Sequence, residues 1–231
     1  NICHMKKPCT LILLLFGVFS AVGQTTNIRF DHLGTADGLS QSHVKCILQD
    51  SRGFMWFGTR DGLNKYDGYK FITYKPDTAK NAISNGYIWD IVEDKNGNIW
   101  IATMGGGLNK YDYKKNRFTH FRNDPKNPNS ISGNLVTAIA TDRQGNLWIG
   151  TEDAGICMYN EASGTFVRYQ PKNDGKSVND ALIHEIFEDS DGDLWIGTDK
   201  GGLNLFNPKT KTFTVFRQDS KDPSSLSHNN V

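Results

Sequence analysis

Four segments of the chain are copies of one pattern. DSRGFMWFGTRDGLNKYDG starts at Asp50, DKNGNIWIATMGGGLNKYD at Asp94, DRQGNLWIGTEDAGICMYN at Asp142 and DSDGDLWIGTDKGGLNLFN at Asp189. The opening aspartates Asp50, Asp94, Asp142 and Asp189 recur with the tryptophans Trp56, Trp100, Trp148 and Trp195. The period is about 45 residues. Such self-similarity marks a supersecondary unit that buries its apolar surface only by stacking on its neighbours.

Each unit reads as four short strands. An apolar run comes first (HVKCILQD, YIWDIVED, LVTAIATD, LIHEIFED). Asp-x-x-Gly then makes a tight turn, in which the carboxylate caps the backbone and glycine takes a positive φ. The second strand carries the tryptophan and ends in Gly/Ala-Thr, and a glycine-rich loop leads to the third (GLNKYD, GLNKYD, GICMYN, GLNLFN). The fourth is KFITYK, RFTHFR, TFVRYQ or TFTVFR. β-branched and aromatic residues fill these runs, with Gly, Asn and Asp between them. Four strands at this period predict an all-β fold, a partial β-propeller of four-stranded antiparallel blades. The tryptophan column would fill each blade interface, and the small residue two positions later would leave room for the neighbouring sheet.

A second repeat opens each unit: LSQSHV at Leu39, ISNGYI at Ile83, ISGNLV at Ile131 and VNDALI at Val178, with LSHNNV at Leu226. The expected blades are residues 39–82, 83–130, 131–177 and 178–225. Residues 226–231 begin a fifth blade, and 25–38 form a lead-in strand. Four blades and the start of another do not close a ring, so the chain is expected to be the N-terminal part of a longer protein. Residues 1–24 have the layout of a signal peptide: Lys6-Lys7, an apolar run from Thr10 to Val22, and the small residues Ala21 and Gly23 before Gln24. Asn1 to His4 precede the start methionine of that layout. Export would permit a disulfide, but Cys46 and Cys157 fall on different strands of non-adjacent units, which argues against one.

The motifs of enzymes are missing. A calcium loop from Asp189 would need glycine at its sixth position and glutamate at its twelfth, where Leu194 and Lys200 stand. The histidines are scattered, and no nucleophile elbow, zinc motif or phosphate loop occurs. No catalytic residue, metal site or cofactor is expected. With 26 basic and 25 acidic residues the formal net charge is +1, so no field draws in nucleic acid. Repeat columns serve the fold, and residues that differ along one rim can serve recognition. The loops after Gly/Ala-Thr hold such residues: Arg60, Asp61, Met104, Glu152, Asp153, Asp199 and Lys200. Trp89 stands where the other units have Lys45, Thr137 and His184, so the repeat does not require it; core packing and a ligand platform both stay open. The rim is expected to face a polar ligand or a partner domain.

The pattern D-x-x-G-x-x-W-x-G-T-x-x-G-L-x-x-Y-D, opened by Leu-Ser-x-x-x-Val, resembles the two-component regulator propeller repeat. It runs from Leu39 to Phe216, departing modestly at Ala102, Ile156, Asn160 and Phe206. The resemblance implies the periplasmic sensor part of a hybrid sensor histidine kinase of Bacteroidetes type. In that layout two seven-bladed propellers precede a β-sandwich, a membrane helix and a kinase core, and many members respond to oligosaccharides. The implied partners are therefore an oligosaccharide or other small polar ligand, further blades and a membrane-linked kinase in the same chain, and a second copy, since sensor kinases usually work as dimers. The implied place is the periplasmic side of the inner membrane. Two other classes remain open: an exported propeller enzyme (a lyase or glycosidase), with catalytic residues facing the central channel, and a secreted carbohydrate- or protein-binding module.

Overall fold

The computed structural model describes residues 29–77 and 81–231. The signal-peptide segment lies outside the described residues, as do residues 25–28 of the lead-in. Residues 29–32 have no regular structure, and Phe30 is exposed. The rest of the expected lead-in strand is corrected. Residues 33–38 hold one turn of 3-10 helix, Thr35–Asp37, closed by Gly38 at φ 106°. The Asp37 carboxylate accepts the Gly34 N–H at 2.8 Å, which gives the backbone a local partner in place of a ladder.

Among the described residues sixteen strands form four antiparallel sheets, each in sequence order. The first holds β1 (Val44–Gln49), β2 (Met55–Thr59), β3 (Gly62–Tyr66) and β4 (Phe71–Tyr74). The second holds β5 (Ile88–Glu93), β6 (Ile99–Thr103), β7 (Gly107–Asp112) and β8 (Arg117–Phe121). The third holds β9 (Val136–Thr141), β10 (Leu147–Thr151), β11 (Ile156–Asn160) and β12 (Thr165–Tyr169). The fourth holds β13 (Ile183–Glu188), β14 (Leu194–Thr198), β15 (Leu203–Asn207) and β16 (Thr212–Phe216). The first strands lie side by side, β1 by β5, β5 by β9 and β9 by β13, so they form the inner edge of the fan. This is a partial β-propeller.

Each Asp-x-x-Gly turn is built as its sequence requires. The Asp50 carboxylate accepts the N–H groups of Arg52 and Phe54, and Gly53 sits at φ 88°. Its other oxygen has a second use. The Trp56 indole N–H donates to Asp50 Oδ2 at 2.8 Å, and the same bond joins Trp100 to Asp94, Trp148 to Asp142 and Trp195 to Asp189 at 2.8–2.9 Å. A buried indole N–H needs a partner, so aspartate and tryptophan recur together.

The core consists of three clusters, one at each sheet interface. Three tryptophans of the column meet a third-strand aromatic of the next sheet: Trp56 meets Tyr111 at 5.6 Å, Trp100 meets Tyr159 at 5.1 Å and Trp148 meets Phe206 at 4.9 Å. The small residue two positions on gives way to the next sheet. A Cβ at Gly150 would stand 2.6 Å from Ile183 Cγ2, and one at Gly58 would stand 2.7 Å from Ile88 Cγ2. Val231 takes the corresponding place beside Gly197. The outermost faces have no such cover. Ile47 is 59% exposed where its counterparts Ile91, Ile139 and Ile186 are buried, and Phe187 at the other end is 62% exposed. Among the described residues Cys46 and Cys157 are free thiols.

Candidate functional site

Strand register decides which loops meet. The first strands start opposite the threonines that end the second strands: Val44 opposite Thr59, Ile88 opposite Thr103, Val136 opposite Thr151 and Ile183 opposite Thr198. The fourth strands finish at the same end, because Tyr74 pairs with Leu63 and Phe121 with Leu108. The glycine-rich loops and the connections between sheets therefore share one end of the fan. The Asp-x-x-Gly turns lie at the other. At the shared end each threonine hydroxyl donates to the carbonyl of Gly62, Gly107, Gly155 or Gly202, which holds the loop tight.

Within this rim the structure gathers two groups. One joins the first two sheets: the Arg60 guanidinium lies 5.5 Å from the Tyr87 ring, Tyr87 lies 5.6 Å from Trp89, and Lys45 Nζ stands 4.2 Å over the Trp89 ring. The Arg60 and Lys45 contacts are at cation–π distances. The second group is on the fourth sheet. Asp199 Oδ1 accepts the Asn230 amide at 2.9 Å and lies 3.3 Å from His184 Nε2, and Lys200 Nζ is 3.6 Å from Asp199 Oδ2. The remaining rim residues have other neighbours. Asp61 is paired with Lys75 at 2.7 Å, and Met104 bridges to Leu135. Glu152 N–H donates to the Leu135 carbonyl, and the Asp153 carboxylate lies against Gly133. Trp89 is only partly buried and also packs on the core between the second and third sheets, so it is both core and surface.

Sequence reading missed Tyr87 and Asp90. The signal was there in the columns: Tyr87 aligns with Leu135, Leu182 and Asn230, and Asp90 with Cys46, Ala138 and Glu185. Asp90 accepts the N–H of Ile139 on the next inner strand at 3.0 Å and the N–H of Ile91 at 2.8 Å. Burial pushes its carboxyl up to about 6, opposed by those two N–H groups and reinforced by Glu185. The folded chain then binds the proton more tightly than the unfolded one. This contribution to stability falls as pH rises from about 4 to about 6 and is flat above, a loss of about 3 kcal/mol. Asp50 works the other way. Burial raises its pKa, but hydrogen bonds from Trp56, Tyr113 and the turn outweigh that and leave it low, so its contribution is lost only as pH falls below about 4. Thermal melts should therefore show a higher Tm at pH 4.5 than at pH 7, and Asp90→Asn should remove that difference. An unchanged difference in the variant would assign it to another group.

Among the described residues no cluster of His, Cys, Asp or Glu has metal-site geometry, and no helix is long and apolar enough to cross a membrane. The pattern described as "Two component regulator propeller" matches residues 38–61, 82–105, 130–153 and 177–200, one match in each sheet unit. These are two-component regulator propeller repeats. Solved structures similar to this chain include the extracellular domain assigned to the hybrid two-component system BT3049 of B. thetaiotaomicron. It is 32% identical with a TM-score of 0.62, over 81% of this chain and 32% of that one. The extracellular domain of BT4673 from the same organism is 26% identical with a TM-score of 0.66, over 79% of this chain and 26% of that one. Histidine kinase P4 of Formosa agariphila is 47% identical over 66 residues, which are 29% of this chain and 5% of the kinase. The propeller repeats described here thus span about a third or less of the length of these relatives.

Proposed function

We propose that this chain is the exported, ligand-sensing propeller segment of a two-component sensor histidine kinase, with its variable rim facing an oligosaccharide or an adjoining domain. The observation that carries the reading is the asymmetry between the two ends of the fan. One end repeats the same Asp-x-x-Gly turns and Asp–Trp bonds. The other displays residues that differ from sheet to sheet, with cations stacked on Tyr87 and Trp89 and a carboxylate held between His184 and Asn230. An aromatic face flanked by charges and amides suits a polyhydroxylated ligand, which offers both C–H surface and hydroxyl groups. The similarity to extracellular domains of two-component systems and to a histidine kinase supports placing this segment on the outer side of a membrane, upstream of a kinase.

The test is ligand-dependent autophosphorylation of the full-length sensor. Reversing the charges at Asp61 and Glu152 together, or replacing Trp89 with alanine, is expected to weaken the response to the activating oligosaccharide at least tenfold. An unchanged dose–response curve, with unchanged association of the neighbouring domains, would remove the rim from the mechanism.

A further inference from the structure

The interface between sheets contains the same cleft three times, at the Asp-x-x-Gly end, and the three copies are filled differently. Between the first and second sheets the occupant is the side chain of Tyr113. Its ring lies 6.0 Å from Trp56, edge-on, and 5.0 Å from Tyr111. Its hydroxyl donates to Asp50 Oδ2. Lys65 Nζ and the Arg52 guanidinium cover its faces at 4.8 and 4.0 Å. Between the second and third sheets Glu161 stands at the position of Tyr113. It accepts the Asn96 amide at 2.9 Å, and the space beside Asp94, Trp100 and Tyr159 shrinks to about 20 Å³.

Between the third and fourth sheets the position of Tyr113 is held by Pro208, and the cleft is open at about 280 Å³. Its walls are the counterparts of those that hold the Tyr113 ring. Asp142 stands for Asp50, Trp148 for Trp56 and Phe206 for Tyr111. The two cations that cover the Tyr113 ring have no counterpart, since Met158 replaces Lys65 and Gln144 replaces Arg52, although Lys211 and Glu188 also line the cleft. Trp148 is stacked on Tyr169 at 5.8 Å and meets Phe206 edge-on at 4.9 Å, so the aromatic walls are already set without an occupant. Methionine is a polarizable wall that accepts the edge of a ring.

We propose that this cleft binds a small phenolic compound, whose ring takes the place that the Tyr113 side chain fills between the first two sheets. The ring would contact Trp148, Met158, Phe206 and Pro208. Its hydroxyl would donate to Asp142, as Tyr113 donates to Asp50. The Asn146 amide now donates to that Asp142 oxygen at 2.8 Å, beside the Trp148 indole N–H at 2.9 Å, and a rotation of the half-buried Asn146 side chain frees the position. The polar groups of the lining, Asp142, Gln144, Asn146, Glu188 and Lys211, surround a floor of Trp148, Met158, Leu194, Phe206 and Pro208, and a flat ring covers that floor where a sugar would set hydroxyls against it.

The probe is p-cresol, the side-chain analogue of tyrosine, titrated into the intact protein while the indole N–H resonances are followed by NMR. The expected result is a saturable shift of the Trp148 indole, with 4-methylcyclohexanol at least tenfold weaker. Pro208→Tyr supplies a ring in cis and is expected to weaken p-cresol at least tenfold. Met158→Lys, which restores the residue of the first two sheets, is expected to do the same and serves if the tyrosine variant does not fold. Tyr113→Ala is expected to create a second saturable site, reported by the Trp56 indole. No saturation at Trp148, equal affinity in both cleft variants, or equal affinity for the cyclohexanol overturns the proposal. So does binding of a tyrosine-bearing peptide without binding of p-cresol, which would give the cleft to a protein partner.

Discussion

Trp100→Ala is expected to lower the unfolding free energy by about 4 kcal/mol, the range for removing a large aromatic from a packed core. Trp100 is 1% exposed, bonded to Asp94 and packed on Tyr159 of the following sheet. Its loss leaves a cavity between two sheets and removes one of the two hydrogen bonds that Asp94 Oδ2 accepts, the other coming from the Asn98 amide at 2.9 Å. The contrast is Trp195, the same column in the fourth sheet. It is partly exposed and packs, with its ring tilted, on Phe216 of its own sheet at 5.7 Å. In this chain Trp195→Ala should cost no more than about half as much, since less surface leaves water on folding. Urea unfolding followed by far-UV circular dichroism measures both. Equal losses would contradict the fan of sheets. If the same substitution in a longer natural protein rises to the cost of Trp100→Ala, a further sheet covers Trp195 there.

Gly150→Val should cost about 3 kcal/mol, because the interface leaves no volume for a side chain. A Cβ at this position would meet Ile183 Cγ2 at 2.6 Å and Ile183 Cβ at 2.8 Å. Ile183 is itself fully buried and β-branched, so it has no free rotamer to retreat into. Ile183→Ala removes the nearer Cγ2 but keeps the Cβ, so it relieves the clash in part and leaves a cavity of its own. The double variant is expected to be more stable than the sum of the two losses by at least about 1 kcal/mol, the sign of two residues sharing one space. Additive losses would mean that the two sheets do not meet at this pair.

Much of this was legible before any coordinates. The Asp-x-x-Gly turns, the strands and the close approach at Gly58 and Gly150 each follow from a few adjacent residues. The end of the fan where Arg60, Asp61, Met104, Glu152, Asp153, Asp199 and Lys200 gather follows from strand direction alone. Residues 33–38 of the expected lead-in turn instead of extending because Asp37 captures the Gly34 N–H locally, an interaction that periodicity does not report. The stacking of Lys45 on Trp89 was invisible for another reason: the two residues sit on separate inner strands, and nothing in either segment names the other.

By itself the sequence determined the unit: four strands, their turns, their order and the column of tryptophans, since all of these depend on short-range geometry repeated at a fixed period. Tertiary structure decided what fills the space between units. Tyr113 swings onto Asp50, Glu161 onto Asn96, and Pro208 leaves its cleft open, although all three stand at one position of the repeat. Asp90 belongs to the same class: burial pushes its carboxyl up, and the Ile139 N–H that opposes the shift is supplied by the next sheet. Contacts across an interface are set by volume and partner groups brought together from about one repeat away, and a local pattern carries no record of them.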